Sequence, residues 1–453
     1  MVKKSLLAIG ALLVLFPTLA FADDPSVAQL DMGLNAIWIM VAGVLVLLMQ
    51  GGFILLEAGS TRMKNAGHVA GKTIFTLGLC SLIYWAVGYG FAFGTEASES
   101  LNKFIGIGNF MFEPSLAAGE GEGYPTSIFF VFQLAFAAVS LSIAWGGFAE
   151  RAKLSAYLIF TVIFTAVIYP IIAHWIWGGG WLATDGAQDY AGSTVVHLTG
   201  AMAAFAATIL LKPRIGKFNK DGSANEILGH NQVFTALAVL LLWVGWFGFN
   251  AGSALAVGDG FFGYVAFNTQ LGAAGGAVAA LLISWLVKGK ADITAMLNGA
   301  LAGLVAITAS CAYVEPWAAV VIGLVAGILV FFSSMFFEKI KVDDPIFALS
   351  VHGAAGVWGT LSNGLFATEE LVARGVGKPG LFYGGGGEQL WVQFESVVVC
   401  GAFAFAASFI VLWIVKKAIG FRVTEEQEII GLDLSEHGNY GYPEQMKKAG
   451  TSV

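Results

Sequence analysis

Residues 189–213 read DYAGSTVVHLTGAMAAFAATILLKP. Positions 191–211 carry no charged side chain, and at ~1.5 Å per residue such a run is long enough to cross a bilayer as a helix. His197 stands near its start. The pattern recurs at residues 344–367, DPIFALSVHGAAGVWGTLSNGLFA, with His352 in a second apolar run. A titratable ring inside a membrane helix is costly, and it is expected to face a partner or a pathway. The two rings are therefore expected to line one pore, built by the rest of the chain.

Composition supports that scale of reading. Of 453 residues, 57% are hydrophobic and 12% charged, and the mean hydropathy is +0.77. A soluble domain carries about 25% charged residues, so the fold class expected is an all-α polytopic membrane protein. The 59 glycines suit close helix packing in lipid. No basic patch suggests nucleic acid. Cys80, Cys311 and Cys400 all lie in apolar runs without metal-ligand spacing, so no metal site is expected.

Residues 1–22, MVKKSLLAIGALLVLFPTLAFA, have a basic start, an apolar run and a small-residue end before Asp23 and Asp24. This reads as a cleaved signal peptide. It implies a bacterial envelope and an N-terminus outside. Eleven apolar spans follow, at roughly 33–56, 71–93, 125–148, 153–173, 191–211, 231–254, 262–287, 293–312, 316–337, 346–367 and 391–415. They define a transmembrane domain over 23–417 and a tail over 418–453. With the N-terminus out, an odd number of spans puts the C-terminus in. Loops then expected inside, with the tail, carry eighteen Lys and Arg, Arg62, Lys72 (counted with the loop although at the edge of its span), Arg151, Arg214 and Arg422 among them; outer loops carry Lys103, Arg374 and Lys378. That positive-inside bias sets the orientation. The outer loops are acidic, with Glu96, Glu113 and Asp259 among others, and an acidic mouth favours a cation.

Five spans followed by five more suggest an inverted repeat, with the eleventh left over. Span 1 ends Glu57-Ala58-Gly59-Ser60 and span 6 ends Asn250-Ala251-Gly252-Ser253; span 5 has Val196-His197 and span 10 has Val351-His352. Corresponding spans of such a pair meet near mid-membrane, which would bring the histidines face to face. Small residues follow each on its own face, Gly200 and Ala201 after His197, Ala355 and Gly356 after His352, as a narrow lumen requires. Bis-histidine haem ligation is the rival, but of six histidines only these two are mid-span. No cofactor is expected. Trp175, Trp177 and Trp181 cluster in AHWIWGGGWL, where the bland role is an interface anchor. Phe132 and Phe136 are four apart on one face, and Phe249 lies four before Ser253. Aromatic faces attract an ammonium-type cation by about 0.5–2 kcal/mol. Asp189 precedes span 5, where a carboxylate caps a helix start.

The stretches DYAGSTVVH, GWFGFNAGS, VDDPIFALSVHGAAGVWG, the ER-x-K-x-S-A of residues 150–156 and the tail GLDLSEHGNYGYPE closely resemble the Amt/Mep/Rh ammonium transporters, on the Amt branch. The likeness runs over nearly the whole mature chain. It implies an eleven-helix bundle, a homotrimer with one pore per subunit, and ammonium or ammonia (with methylammonium as analogue) as the solute, so a transporter rather than an enzyme. By that resemblance the twin pore histidines fall on His197 and His352, and the phenylalanine gate on Phe136 and Phe249. The recruitment site falls on Phe132, Phe136, Trp177 and Ser253, and an indirectly acting aspartate on Asp189. The tail would couple subunits and dock a PII-type signal protein. One departure is His68 in KNAGHVAGK, where the family pattern has a small polar residue such as Asn. The alternative function is an ammonium sensor signalling through its tail, although 36 residues are too few for a kinase or cyclase.

Overall fold

The computed structural model describes residues 26–115 and 123–444. The signal-peptide expectation at 1–22, and tail residues 445–453, lie outside them. The described residues are helical throughout, with no strand beyond two isolated bridges, Ala152 with Arg422 and Phe218 with Ala224.

Helices occupy every apolar stretch read from the sequence. They are α1 (Val27–Ser60), α2 (Met63–Phe93), α3 (Thr126–Gly147), α4 (154–176), α5 (Ser193–Leu211), α6 (Gln232–Ala251), α7 (Phe261–Lys288), α8 (Ile293–Thr308), α9 (Pro316–Lys339), α10 (349–366) and α11 (Glu388–Ala418). Among the described residues, nine are long and apolar enough to cross a membrane; α8, at 16 residues, and α10 are not among the nine. Most boundaries fall within a few residues of the hydropathy limits, because charged and turn residues end the apolar runs. The α1–α2 pair differs. Lys72, read from the sequence as a loop charge, lies inside α2 and is fully buried.

Among the described residues five helices widen locally into π-turns: Tyr84–Gly88 in α2, Phe164–Ile168 in α4, Ser193–Leu198 in α5, Phe247–Ala251 in α6, and Leu349–Ala354 at the start of α10. Such turns are rare and concentrate at functional sites. Three of them carry His197, Phe249 and His352.

Packing is close. α1 lies on α3 and α6, α5 on α3 and α11, and α7 on α8 and α9. In the last group backbones touch: a methyl at Gly323 would stand 2.1 Å from the Gly272 carbonyl oxygen, and one at Gly276 2.2 Å from that of Gly299.

Residues 419–444 fold back over one end of the bundle, here termed the tail face, with short helices α12 (Glu425–Ile430) and α13 (Leu432–His437). A buried ion network joins the loops there. Glu150 accepts from the Arg62 backbone N–H at 2.6 Å and pairs with Arg62 and Arg214, and Arg214 also pairs with Asp343 at 2.8 Å. Arg422 pairs with Glu428, whose other oxygen accepts from the Ile215 N–H at 2.8 Å. Asp433 accepts from the Gly67 and His68 N–H groups, and Glu436 from that of Leu154, so the tail caps the first turns of α2 and α4.

Candidate functional site

The end opposite the tail face opens into a cavity of about 270 Å³. Phe132, Phe136, Trp177, Asp189 and Ser253 all contribute to its lining, together with Gln133 and Tyr190. Sequence reasoning places the first five near one another; the last two it misses. Gln133 Oε1 and the Tyr190 hydroxyl are buried without a hydrogen-bond partner among the described residues. A buried polar atom left unpaired costs about 1–3 kcal/mol, so these two are free to serve a hydrogen-bond donor in the cavity.

Three aromatic rings shape the floor. Phe136 lies 4.7 Å from Phe132 and 5.8 Å from Trp177, edge to face with the latter. The Trp177 indole N–H donates to the Asp189 carbonyl at 2.7 Å, which fixes its ring. Ser253 donates its hydroxyl proton to the Phe249 carbonyl at 2.8 Å. Its oxygen therefore keeps lone pairs for an incoming N–H.

Below the cavity two stacked rings close its floor. The rings of Phe136 and Phe249 stack with centroids 4.1 Å apart, and both are buried. Beneath Phe249 the His197 ring follows at 5.4 Å, then His352 at 5.2 Å, nearly parallel to His197. Phe53 of α1 lies 6.5 Å beyond His352. The two Nδ1 atoms are 3.2 Å apart. Neutral imidazole has one N–H, so one ring donates and its partner accepts. The pair then offers one Nε2 bearing hydrogen and one Nε2 with a lone pair. His197 Nε2 has no partner among the described residues.

The histidines are aimed by their π-turns. Asp189 accepts four backbone N–H groups, Gly192 and Ser193 on Oδ1 and Thr194 and Val195 on Oδ2, at 2.7–3.0 Å. Gly192 makes this possible at φ +115°, where a side chain would be strained and would strike Val196. The His197 and Val196 N–H groups both reach the Gly192 carbonyl at 3.0 Å. Ser193 donates to the Val305 carbonyl, and Thr194 bonds Thr360 at 2.7 Å, so neighbouring helices hold the widened turn. Trp246 stacks on His197 at 5.1 Å and is pinned by its N–H to Thr308.

The second histidine is supported alike. Asp344 accepts from the N–H groups of Ala348 and Leu349. Asp344 precedes His352 by eight positions, as Asp189 precedes His197. Sequence reasoning misses Asp344, although this repeated interval in the sequence points to it. Trp246 is likewise missed, although it stands within GWFGFNAGS. Burial pushes both aspartates up to about 6, against the opposing pull of the backbone N–H groups they accept. Among the described residues no cluster of three or more metal-ligating side chains occurs.

Comparison with known proteins gives a consistent result. The family model for the Ammonium Transporter Family matches residues 37–442. The chain is similar to ammonium transporter Amt2 of Archaeoglobus fulgidus, at 40% identity over 96% of this chain and 95% of that protein. It is similar to an ammonium transporter of Bacillus subtilis, at 35% identity over 91% of this chain and 99% of the other. Among solved structures it is similar to one described as a sensor Amt protein (TM-score 0.84, 37% identity, 90% of this chain and 99% of that chain). It is also similar to Candida albicans Mep2 (TM-score 0.81, 30% identity, 91% of each chain).

Proposed function

Because the chain belongs to the ammonium transporter family, we propose that it draws ammonium into the mouth cavity, removes one proton and passes neutral ammonia between His197 and His352. The observation that carries this reading is the unbroken order of parts: cavity, Phe136–Phe249 stack, His197–His352 pair. The aromatic faces and the lone pairs of Ser253 suit a small cation with N–H donors. Taking that cation bare through an apolar passage is expensive, on the order of 20 kcal/mol by the idealised Born estimate and several after relaxation. Removing a proton is cheaper: an amine of pKa ~10.4 loses one at pH 7 for ~4.6 kcal/mol. Potassium fits the same rings but has no proton to give up.

The arrangement proposed is eleven crossings with the N-terminus outside and the tail inside, in a bacterial inner membrane. The basic bias of the tail-side loops supports that orientation. The matched pairs Asp189–His197 and Asp344–His352, one in each half, support a 5+5 inverted repeat. A homotrimer, with a PII-type signal protein meeting the tail, completes the proposal.

Labelled methylammonium uptake into proteoliposomes tests it. His197→Ala and His352→Ala are each expected to fall to the level of empty vesicles. Undiminished uptake in both variants overturns the role given to the pair. A second reading is an ammonium sensor, favoured by the likeness to a structure described as a sensor Amt protein. Ammonium occupancy without flux in the same vesicles would select it.

A further inference from the structure

The mouth cavity is larger than its proposed passenger. An ammonium ion is close to a water molecule in size and takes about 30 Å³, whereas the cavity holds about 270 Å³. Its wall divides by chemistry. Phe132, Phe136 and Trp177 supply aromatic rings, and the Ser253 oxygen keeps lone pairs. Gln133 Oε1 and the Tyr190 hydroxyl belong to the same wall, and both are buried with no hydrogen-bond partner among the described residues. Asp189 adds negative charge, but its four lone-pair sites are taken by the N–H groups of residues 192–195, so it offers no acceptor to a ligand.

Aromatic cages hold alkylammonium heads by their π faces. A ligand that is head alone leaves most of the volume, and both orphan atoms, to solvent. One with an apolar tail displaces that solvent and strands Gln133 and Tyr190, which costs affinity. A tail ending in a hydroxyl replaces the solvent on equal terms. Its O–H donates to Gln133 Oε1, and its oxygen accepts from the Tyr190 O–H. The Phe136–Phe249 stack, with 4.1 Å between centroids, closes the floor beneath the head.

We propose that this cavity binds a second class of ligand, short primary ammonium ions with a hydroxyl group at the far end, and holds them without passing them on. The ammonium head lies among Phe132, Phe136 and Trp177 with an N–H to Ser253, and the hydroxyl is shared by Gln133 and Tyr190. The rings take any small ammonium; Gln133 and Tyr190 sort ligands by their tails. This deepens the transport reading above and rests on it for one consequence, that an occupied mouth stops methylammonium uptake.

Ethanolammonium and propylammonium test it, because they match in charge and in number of heavy atoms and differ by a hydroxyl in place of a methyl. Isothermal titration calorimetry of the purified full chain at pH 7 is expected to show ethanolammonium bound about tenfold more tightly, the worth of one to two net hydrogen bonds. In the double variant Gln133→Leu with Tyr190→Phe the two ions are expected to bind alike. Tyr190→Phe alone, which removes one oxygen, is expected to leave a preference of about threefold, and it serves should the double variant fail to fold. In proteoliposomes ethanolammonium is expected to compete with labelled methylammonium uptake, while labelled ethanolammonium stays at the level of empty vesicles. Equal binding of the two ions by the wild type overturns the proposal. So does the full preference kept in a folded variant, or accumulation of ethanolammonium above empty vesicles. Preferential ethanolammonium binding without methylammonium uptake in the wild type overturns the transport reading and leaves the site standing.

Discussion

Asp189 and Asp344 do one task with unequal grip. The first accepts four backbone N–H groups and the second two. An asparagine in either place can accept on one oxygen only and turns its NH₂ toward donors. Asp189→Asn thus strands two buried N–H groups, and roughly 2–4 kcal/mol of stability goes with them. Asp344→Asn strands one and loses about half as much. Thermal unfolding in detergent is expected to rank the two in that order, and methylammonium uptake to fall further in Asp189→Asn, whose turn holds His197. Much at this scale was legible in the sequence. His197, His352 and Ser253 stand in motifs long enough to read, Phe132 and Phe136 share a face by their spacing of four, and the structure places Phe132, Phe136 and Ser253 around one cavity and the two histidines side by side. Gln133 and Tyr190 were not legible, because what sets them apart is the lack of a partner in the folded chain. Lys72 misled for a similar reason. Its charge near a span's edge reads as a loop residue until Glu57 is seen beside it.

At the level of helices, hydropathy located each apolar stretch but not its shape. The π-turn at Ser193–Leu198 depends on the Asp189 cap, on Gly192 at positive φ, and on bonds to Val305 and Thr360, more than one hundred residues away. No local pattern encodes those bonds. The same holds for the α7–α8–α9 packing: many glycines were evident, but which of them meet a carbonyl was not. Gly323→Ala places a methyl 2.1 Å from the Gly272 oxygen, and neither backbone can retreat without parting the helices. The expected cost is about 1–3 kcal/mol, read as a lower unfolding temperature. Gly71, whose added methyl meets nothing within 4 Å, is the matched control and is expected to stay near wild type.

Across the whole molecule, the tail-face network fastens four connections and the tail to one another. Its basic members were visible in the sequence as an orientation signal; their partners, far away along the chain, were not. Burial pushes the Glu150 carboxyl up, but Arg214 and Arg62 outweigh it and hold it at about 2. Burial likewise pushes the Asp343 carboxyl up, but Arg214 outweighs it, and the group ends below the usual carboxylate range. Both groups are more acidic folded than unfolded. Their stabilisation is complete above about pH 4.5 and is lost as pH falls toward 2, on the order of 3 kcal/mol for Glu150. Unfolding temperature is expected to drop steeply between those limits, and Glu150→Gln to start lower and respond less to acid. The shut aromatic pair at the floor of the mouth bears on throughput. With Phe136 against Phe249 there is no standing hole, so on the route we propose each passage would wait for two side chains to swing aside and close again. Such a turnstile has a top speed set by its own hinge rather than by the crowd outside, and flux levels off with rising supply although no domain moves.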